Sequence, residues 1–178
     1  MTRPLLVTER LELRPLTAEH TDLLVELDSD PEVMRFLTGR AGTRAEVEAR
    51  LPSRTDPAQD ARGLGYWVVF AGEEFLGWVC LTPWRDEPDA GELGYRLRRT
   101  AWGHGYAVEA SRALLDHGFG TVRLARVLAS TMVVNVRSRA VMERLGMRRY
   151  DTLYREWDEP VAGWERGEVV YRMLRPHG

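Results

Sequence analysis

Two glycines, Gly103 and Gly105, constrain this chain more than any other feature, because they lie between a strand-like segment and a helix-like segment. The residues before them, 92–98, alternate apolar and polar side chains as a strand does. The residues after them repeat apolar side chains at helical spacing, including Ala110 and Leu114. The sequence therefore predicts a strand, a glycine loop and a helix, which is a building unit of α/β proteins.

A loop of this kind can also bind a phosphate group. Glycine permits backbone angles that other residues avoid, and the first turn of a helix leaves N–H groups unpaired beside a partial positive charge. The alternative interpretation is that Gly103 and Gly105 only form a tight turn, which is the commoner use of two such glycines. A dinucleotide-binding fold is disfavoured, because the third glycine and the following acidic residue of that fingerprint are missing.

Further strands and helices are predicted around this unit. Alternating side chains predict strands over residues 8–16, 66–70, 75–81, 125–133, 147–157 and 168–174. Cap residues and helical spacing predict helices after Thr17, from Pro31, over residues 43–51 and over residues 135–145. A mobile loop is predicted over residues 52–65, and a loop rich in Pro and Asp over residues 82–90. With no repeat or linker in the sequence, residues 1–178 are predicted to form a single domain.

Composition excludes several classes of protein. The 25 basic side chains are all arginine and stand against 27 acidic ones, so the net charge of −2 favours neither nucleic acid nor an anionic membrane as a partner. The absence of lysine from the sequence excludes the phosphate lysine of P-loop proteins, a Schiff-base lysine and the lysine of a kinase.

Cysteine and histidine argue against a metal centre. Cys80 is the single cysteine, which excludes a disulfide within the chain and a zinc cluster built on cysteines, and an inert core role is expected for it. The histidines His20, His104, His117 and His177 lack metal-ligand spacing.

No apolar run approaches the ~18 residues of a membrane span, so we expect a cytoplasmic monomer or homodimer with no membrane partner.

Three segments resemble signatures of the GNAT N-acetyltransferases. Their acetyl-CoA-binding motif resembles ELGYRL at residues 92–97 followed by GHGYA at residues 103–107. Their second signature resembles NVRS at residues 135–138 followed by a helix that ends in LGM at residues 145–147. Residues 8–16 resemble the opening strand of the branch that contains the ribosomal-protein N-terminal acetyltransferases. These segments occur in the family's order and span nearly the whole chain.

The resemblance implies a fold. It implies one N-acetyltransferase domain of mixed α/β (α+β) class, with a mixed, mostly antiparallel central sheet of about six to seven strands flanked by helices. It further implies that a bulge splays the strand at residues 92–98 away from the strand at residues 125–133, and that the coenzyme enters the resulting V.

The same resemblance implies acetyl-CoA as the acyl donor and names the residues that would bind it. These residues are Tyr95, Arg96, Leu97, Gly103, His104, Gly105, Tyr106, Ala107, Asn135 and Ser138. The glycine loop would face the pyrophosphate, and the strand would hydrogen-bond the pantetheine arm. Four arginines are candidates for the phosphates, with ordinary surface solvation as the alternative for each: Arg99, Arg137, Arg139 and Arg144.

The resemblance also implies a mechanism, in which a primary amine attacks the thioester directly. Glu92 is the first candidate for the base that removes the amine's proton, with Asp86 and Glu87 as rivals. Ser138 would donate to the departing thiolate, and Asn135 would hold a pantetheine amide or a water molecule. The alternatives are a solvated strand-end carboxylate for Glu92 and ordinary helix-start roles for Ser138 and Asn135.

The acceptor is either a protein N-terminus or a small-molecule amine. Its pocket is expected among Trp67, Trp78, Trp84 and residues 40–65, although tryptophans in strands are more often core residues. A different class of function, a non-catalytic acyl-CoA-binding sensor or interaction module, needs the glycine loop but neither Glu92 nor Ser138. A purely structural domain would need none of these residues.

Overall fold

One eight-stranded sheet with helices on both faces forms the protein in a computed structural model, which describes residues 2–176. His177 lies outside these residues. The strands are β1 (Leu6–Val7), β2 (Glu12–Pro15), β3 (Gly65–Ala71), β4 (Glu74–Trp84), β5 (Glu87–Leu97), β6 (Arg126–Met132), β7 (Arg148–Leu153) and β8 (Glu168–Leu174). The helices are α1 (Thr21–Asp28), α2 (Arg44–Arg54), α3 (Pro57–Ala61), α4 (Tyr106–Asp116) and α5 (Val136–Arg144).

The sheet is antiparallel except at its centre. Its strand order is β1-β2-β3-β4-β5-β6-β8-β7, and only β5 and β6 pair in parallel. That pairing extends from Ala90↔Arg126 to Glu92↔Leu128, after which the two strands separate and leave a V. The predicted fold class and the splayed central strands are therefore confirmed. The strand count is eight rather than six to seven, because β1 has only two residues and carries almost no alternation to detect.

The bulge expected between the splayed strands lies elsewhere. From Glu92 to Leu97, β5 keeps an unbroken register with β4. The irregularity falls between Pro83 and Trp84, beside the hairpin that joins the two strands. This hairpin also replaces the loop predicted over residues 82–90, because β4 continues to Trp84 and β5 begins at Glu87. Pairing with the neighbouring strands overrides the turn-forming composition of that segment.

Three other local predictions are wrong. The strand predicted over residues 8–16 is confined to β2, because the Thr8 N–H donates to the Leu11 carbonyl at 2.9 Å and closes a turn. Residues 31–38 form successive turns instead of a helix. The mobile loop predicted over residues 52–65 contains the end of α2 and all of α3. Pro52 is tolerated in α2 because it removes one N–H near the helix end, where the Thr55 N–H still donates to Leu51 at 3.0 Å.

The alternation of β5 divides the protein into two faces. Leu93 and Leu97 belong to the core that the sheet forms with α4 and α5. The opposite face packs against α1 and α2, and there Arg96 forms an ion pair with Asp28 of α1. Because successive side chains of a strand point to opposite faces, Glu92 shares the α1 and α2 face with Arg96. A single strand therefore supplies both faces of the V.

Gly77 in β4 is required for the close contact between β4 and β5. Its φ is +144°, and a Cβ there would lie 2.1 Å from the Arg96 carbonyl oxygen. We expect Gly77→Ala to lower the free energy of unfolding by about 3 kcal/mol, through backbone strain and the clash. In Gly120→Ala the added Cβ meets nothing within 4 Å, so this control should change stability by less than about 0.5 kcal/mol. Urea denaturation of the two variants checks this, and equal midpoints would contradict it.

Candidate active site

A cavity of about 770 Å³ occupies the V between β5 and β6. Both strands and the start of α5 form its wall, so the separation of the strands, rather than a loop, creates the space. The predicted site residues in this wall are Glu92, Tyr95, Arg96, Leu97, Ala107, Asn135 and Ser138. Beyond Glu92, β5 has no partner strand on its β6 side in the described part of the chain, which leaves backbone polar groups along the cavity unpaired by the sheet.

The glycine loop forms an open corner beside the cavity. Gly103 and Gly105 have φ values of +80° and +78°, and Gly105 is the N-cap of α4. Among the residues that the structure describes, no N–H group from Gly103 to Val108 donates a hydrogen bond. A Cβ at Gly103 would meet nothing within 4 Å, so the corner is open to a ligand. Unpaired N–H groups at the positive end of a helix fit a diphosphate.

Residues about 100 positions earlier in the chain hold this loop in place. The Glu109 carboxylate accepts hydrogen bonds from the Thr8 hydroxyl at 2.6 Å and from the Arg10 N–H at 3.0 Å. Arg10 in turn donates to the His104 carbonyl at 2.9 Å and lies over the Tyr106 ring. Burial opposes the ionisation of Glu109, but these hydrogen bonds hold its pKa below the ordinary value. Tyr106 thus contacts Arg10 instead of lining the cavity.

Sequence reasoning missed this support for the loop. The sequence places Arg10 in the predicted opening strand and Glu109 in the helix that follows the glycine loop, and it gives neither residue a supporting role. Neither residue carries a local signal, because the two positions meet only through the tertiary fold.

Tyr95 links the splayed strand to the start of α5. Its hydroxyl donates to the Ser138 carbonyl at 2.8 Å and lies 3.0 Å from the Ser138 Oγ. The Asn135 side chain accepts from the Ser138 N–H at 3.2 Å and caps α5. Burial raises the pKa of the Tyr95 hydroxyl, so it stays protonated. Sequence reasoning placed the Tyr95 backbone here but missed its hydroxyl.

Glu92 lies at the apex of the V, in the last residue pair that joins β5 to β6. Burial raises the pKa of its carboxyl above the ordinary 4.5, and the positive charge of Arg155 partly opposes that rise. The rival carboxylates lie outside the cavity wall: Asp86 is in the hairpin turn, and Glu87 forms an ion pair with Arg126.

The four candidate arginines differ in position. Arg137 lines the cavity and stacks over the Trp102 ring at 4.0 Å. Arg99 forms an ion pair with Asp30 at 3.1 Å, and Arg139 donates to the Val133 carbonyl at 3.1 Å. Arg144 is exposed at the end of α5, outside the cavity wall.

The other end of the cavity, on the α1 and α2 face, is aromatic. Trp78, Tyr66 and Cys80 line it, and burial raises the pKa of the Cys80 thiol to about 12. Of the three tryptophans predicted for an acceptor pocket, two lie elsewhere. Trp67 is fully buried and donates to the Pro4 carbonyl at 2.9 Å, and Trp84 packs against Leu128 in a separate cluster. Residues 32–37 form the outer wall, in place of the predicted residues 40–65.

Between residues 2 and 176, no group of three His, Cys, Asp or Glu side chains is placed to hold a metal ion. No helix in this part of the chain has the length and apolar character to cross a membrane.

Comparisons with known proteins agree with this geometry. A family model described as "Acetyltransferase (GNAT) domain" matches residues 10–148. The "FsC-acetyl coenzyme A-N(2)-transacetylase" of Aspergillus fumigatus is 39% identical over 181 residues, covering 97% of this chain and 77% of that protein.

Solved structures share the whole fold. A structure of RimL, named a ribosomal L7/L12 alpha-N-protein acetyltransferase and solved with coenzyme A, has a TM-score of 0.79, 20% identity, and 98% coverage of both chains. The spermidine N-acetyltransferase of Vibrio cholerae, solved with CoA and spermine, has a TM-score of 0.76 at 18% identity, covering 94% of this chain and 97% of that one. At these identities the two structures establish the fold.

The titration of Glu92 should affect stability. The unfolded chain loses this proton near pH 4.5, whereas burial makes the folded chain hold it to higher pH. Raising the pH through the window between the two pKa values therefore lowers the free energy of unfolding of the wild type. Glu92→Gln lacks this titration, so its stability relative to the wild type should rise across that window and then stay constant. Urea denaturation of both proteins from pH 4 to pH 8 measures the difference, and parallel curves would contradict the prediction.

Proposed function

Because the chain belongs to the acetyltransferase (GNAT) family, we propose that it transfers the acetyl group of acetyl-CoA to a primary amine by direct attack of that amine on the thioester. Family membership gives the acetyl transfer and its donor, and the amine and the direct attack are our proposal. The observation that carries it is a half-buried carboxyl, Glu92, at the apex of a cavity whose neighbouring corner fits a diphosphate. A protein N-terminus and a small amine are both candidate acceptors, as the names of RimL and the spermidine enzyme suggest.

Residues on the α4 and α5 face would hold the coenzyme. The N–H groups from Gly103 to Ala107 would bind the pyrophosphate, and Arg137 would add positive charge at the cavity wall. The unpaired edge of β5 along Tyr95, Arg96 and Leu97 would bind the pantetheine arm as an added strand. Bound acetyl-CoA supplies an activated acetyl thioester.

Glu92 would act as the general base. A primary amine carries a proton at pH 7, and only its neutral form has the electron pair needed for attack. Glu92 accepts that proton directly or through a water molecule. Its raised pKa makes it a stronger base than an ordinary glutamate, and the cavity wall gives it access to a ligand.

Ser138 would donate a hydrogen bond or proton to the departing sulfur. The Tyr95 hydroxyl already donates its proton to the Ser138 carbonyl, so the Ser138 hydroxyl is the one of the pair that has a proton left to give. Asn135 would position Ser138 by accepting its N–H. In this arrangement Tyr95 is a positioning residue, because it acts through Ser138.

Coenzyme binding should depend on the αL backbone of the loop. Millimolar acetyl-CoA should raise the Tm of the wild type, since a ligand at 100 times its Kd stabilises by roughly 2.7 kcal/mol. In Gly105→Ala the strained N-cap should weaken binding and reduce this shift. Gly72→Ala, which also has a positive φ (+60°) but lies in a distant hairpin, should keep the full shift. Wild-type protein without any shift would refute coenzyme binding.

The base assignment predicts a selective loss of turnover. Glu92→Gln should lower kcat by roughly 100-fold or more, with the affinity for acetyl-CoA little changed. In the wild type, kcat/KM should rise with pH through a pKa above 4.5, because the base must be ionised. Asp86→Asn and Glu87→Gln are the matched controls and should keep their activity.

Thiol release across a panel of amines measures these rates. Full activity in Glu92→Gln would transfer the base role to another group. Tight acetyl-CoA binding without thiol release for any amine would instead indicate a non-catalytic acyl-CoA-binding module.

A further inference from the structure

A nearly buried arginine without a hydrogen-bond partner lies behind the aromatic end of the cavity. Arg54 of α2 is 5% exposed, and its Nη1 is buried without a partner within residues 2–176. Its guanidinium lies 5.6 Å from the Tyr66 ring and 5.3 Å from the Trp78 ring, and both rings line the cavity. Buried charged groups in native proteins are almost always paired, so an unpaired one needs an explanation.

A second arginine, unlike Arg54, belongs to the cavity wall itself. Arg96 lines the cavity, and its guanidinium lies 5.0 Å from the Trp78 ring. Its Nη1 donates to Asp28 at 2.7 Å, which leaves its other donors without a protein partner in the described chain. The Trp78 Nε1 is a further buried donor without a partner there. Arg96 therefore offers free donors at the cavity wall, whereas the Arg54 Nη1 and the Trp78 Nε1 are buried behind it.

The charges in this cluster do not balance. Arg54 and Arg96 together carry two positive charges, and Asp28, which is 1% exposed, carries one negative charge. Asp28 also has a buried oxygen, Oδ2, that lacks a partner in residues 2–176. A shift that paired Arg54 with this oxygen would still leave one excess positive charge. Arg50, which also acts electrostatically on Arg54, adds to that excess.

The cluster and Glu92 lie along the same strand face. Arg96 is four residues after Glu92, so their Cα atoms are roughly 13 Å apart at 3.3 Å per residue. In the register with β4, Arg96 lies opposite Trp78 and Glu92 lies opposite Thr82. A ligand in the cavity can therefore present one group to Glu92 and another to Arg96.

We propose that the acceptor amine carries a carboxylate several bonds from its nitrogen, and that Arg96 binds this carboxylate, with Arg54 adding positive charge from behind the Tyr66 and Trp78 rings, while the nitrogen lies beside Glu92. This inference rests on the proposed acetyltransferase function and names its substrate class. A carboxylate would supply acceptor oxygens for the donors of Arg96 that Asp28 leaves free, and it would neutralise the excess charge of Arg54 and Arg96.

A pair of matched amines tests the substrate class. Thiol release from acetyl-CoA is measured with 6-aminohexanoate and with 6-aminohexanamide, which differ in the charge at the far end, and with spermidine as a cationic acceptor. The carboxylate should have a KM roughly 10- to 100-fold lower than the amide, as hydrogen bonds to charged groups imply. The shorter 4-aminobutyrate then tests the separation between Glu92 and the arginines.

Variants of Arg54 test the residues. Arg54→Gln removes a positive charge from behind the rings, so it should raise the KM for 6-aminohexanoate roughly 10-fold and leave the KM values for the amide and acetyl-CoA unchanged. Arg54→Lys, which keeps the charge, should restore part of the affinity and covers the case in which Arg54→Gln fails to fold. Arg44→Gln removes a charge from an exposed position of the same helix and should change none of these values.

A calorimetric titration with glutarate, without acetyl-CoA, tests the anion site independently of turnover. Binding to the wild type that is weakened in Arg54→Lys supports the site, and no binding to the wild type overturns it. Equal KM values for the acid and the amide, or a preference for spermidine, overturn the inference while leaving the acetyltransferase intact. If no amine releases thiol, the proposed function fails, and the titration still decides whether the anion site exists. A variant that loses stability but keeps the KM ratio assigns Arg54 a structural role, which also overturns the inference.

Discussion

The separation of β5 from β6 beyond Glu92 is the constraint on which the rest of the site depends. It leaves one edge of β5 without a partner strand and opens the cavity, while the unbroken register with β4 keeps β5 rigid. Gly77 permits that close contact with β4, and Tyr95 ties β5 to α5 across the gap. The unpaired backbone is thereby held ready for a ligand and is protected from pairing with its neighbouring strand.

The glycine loop shows how a local motif depends on distant residues. Gly103 and Gly105 give the loop its αL backbone, but the hydrogen bonds that fix its position come from Thr8 and Arg10 through Glu109. The charge of Glu109 is stabilised by the same donors, so the loop and the N-terminal segment support each other. An anion site made of backbone N–H groups depends on this rigidity. If the loop were mobile, ordering its N–H groups would cost free energy when the anion binds, and the affinity would fall.

Local patterns could predict part of this structure. The spacing of Gly103 and Gly105 and the cap at Asn135 are signals within one turn of chain, and the elements that they mark are present. Trp67 and Trp78 look alike in sequence, but strand register places them on opposite faces, so only Trp78 reaches the cavity. The ion pair between Arg96 and Asp28 joins residues 68 positions apart, and no local pattern contains it.

The two faces of the V differ in how their polar groups are satisfied. On the α4 and α5 face, Tyr95, Asn135 and Ser138 hydrogen-bond one another. On the α1 and α2 face, Glu92 is a half-buried carboxyl with a raised pKa, and Arg54 is a buried cation without a hydrogen bond in the described structure. The Glu92 carboxyl and the unpaired Arg54 cation each lower the stability of the folded protein. Proteins keep such groups mainly where a bound ligand offsets the loss. We therefore assign both ends of the proposed acceptor to this face, its amine beside Glu92 and its carboxylate at Arg96, where Arg54 adds positive charge.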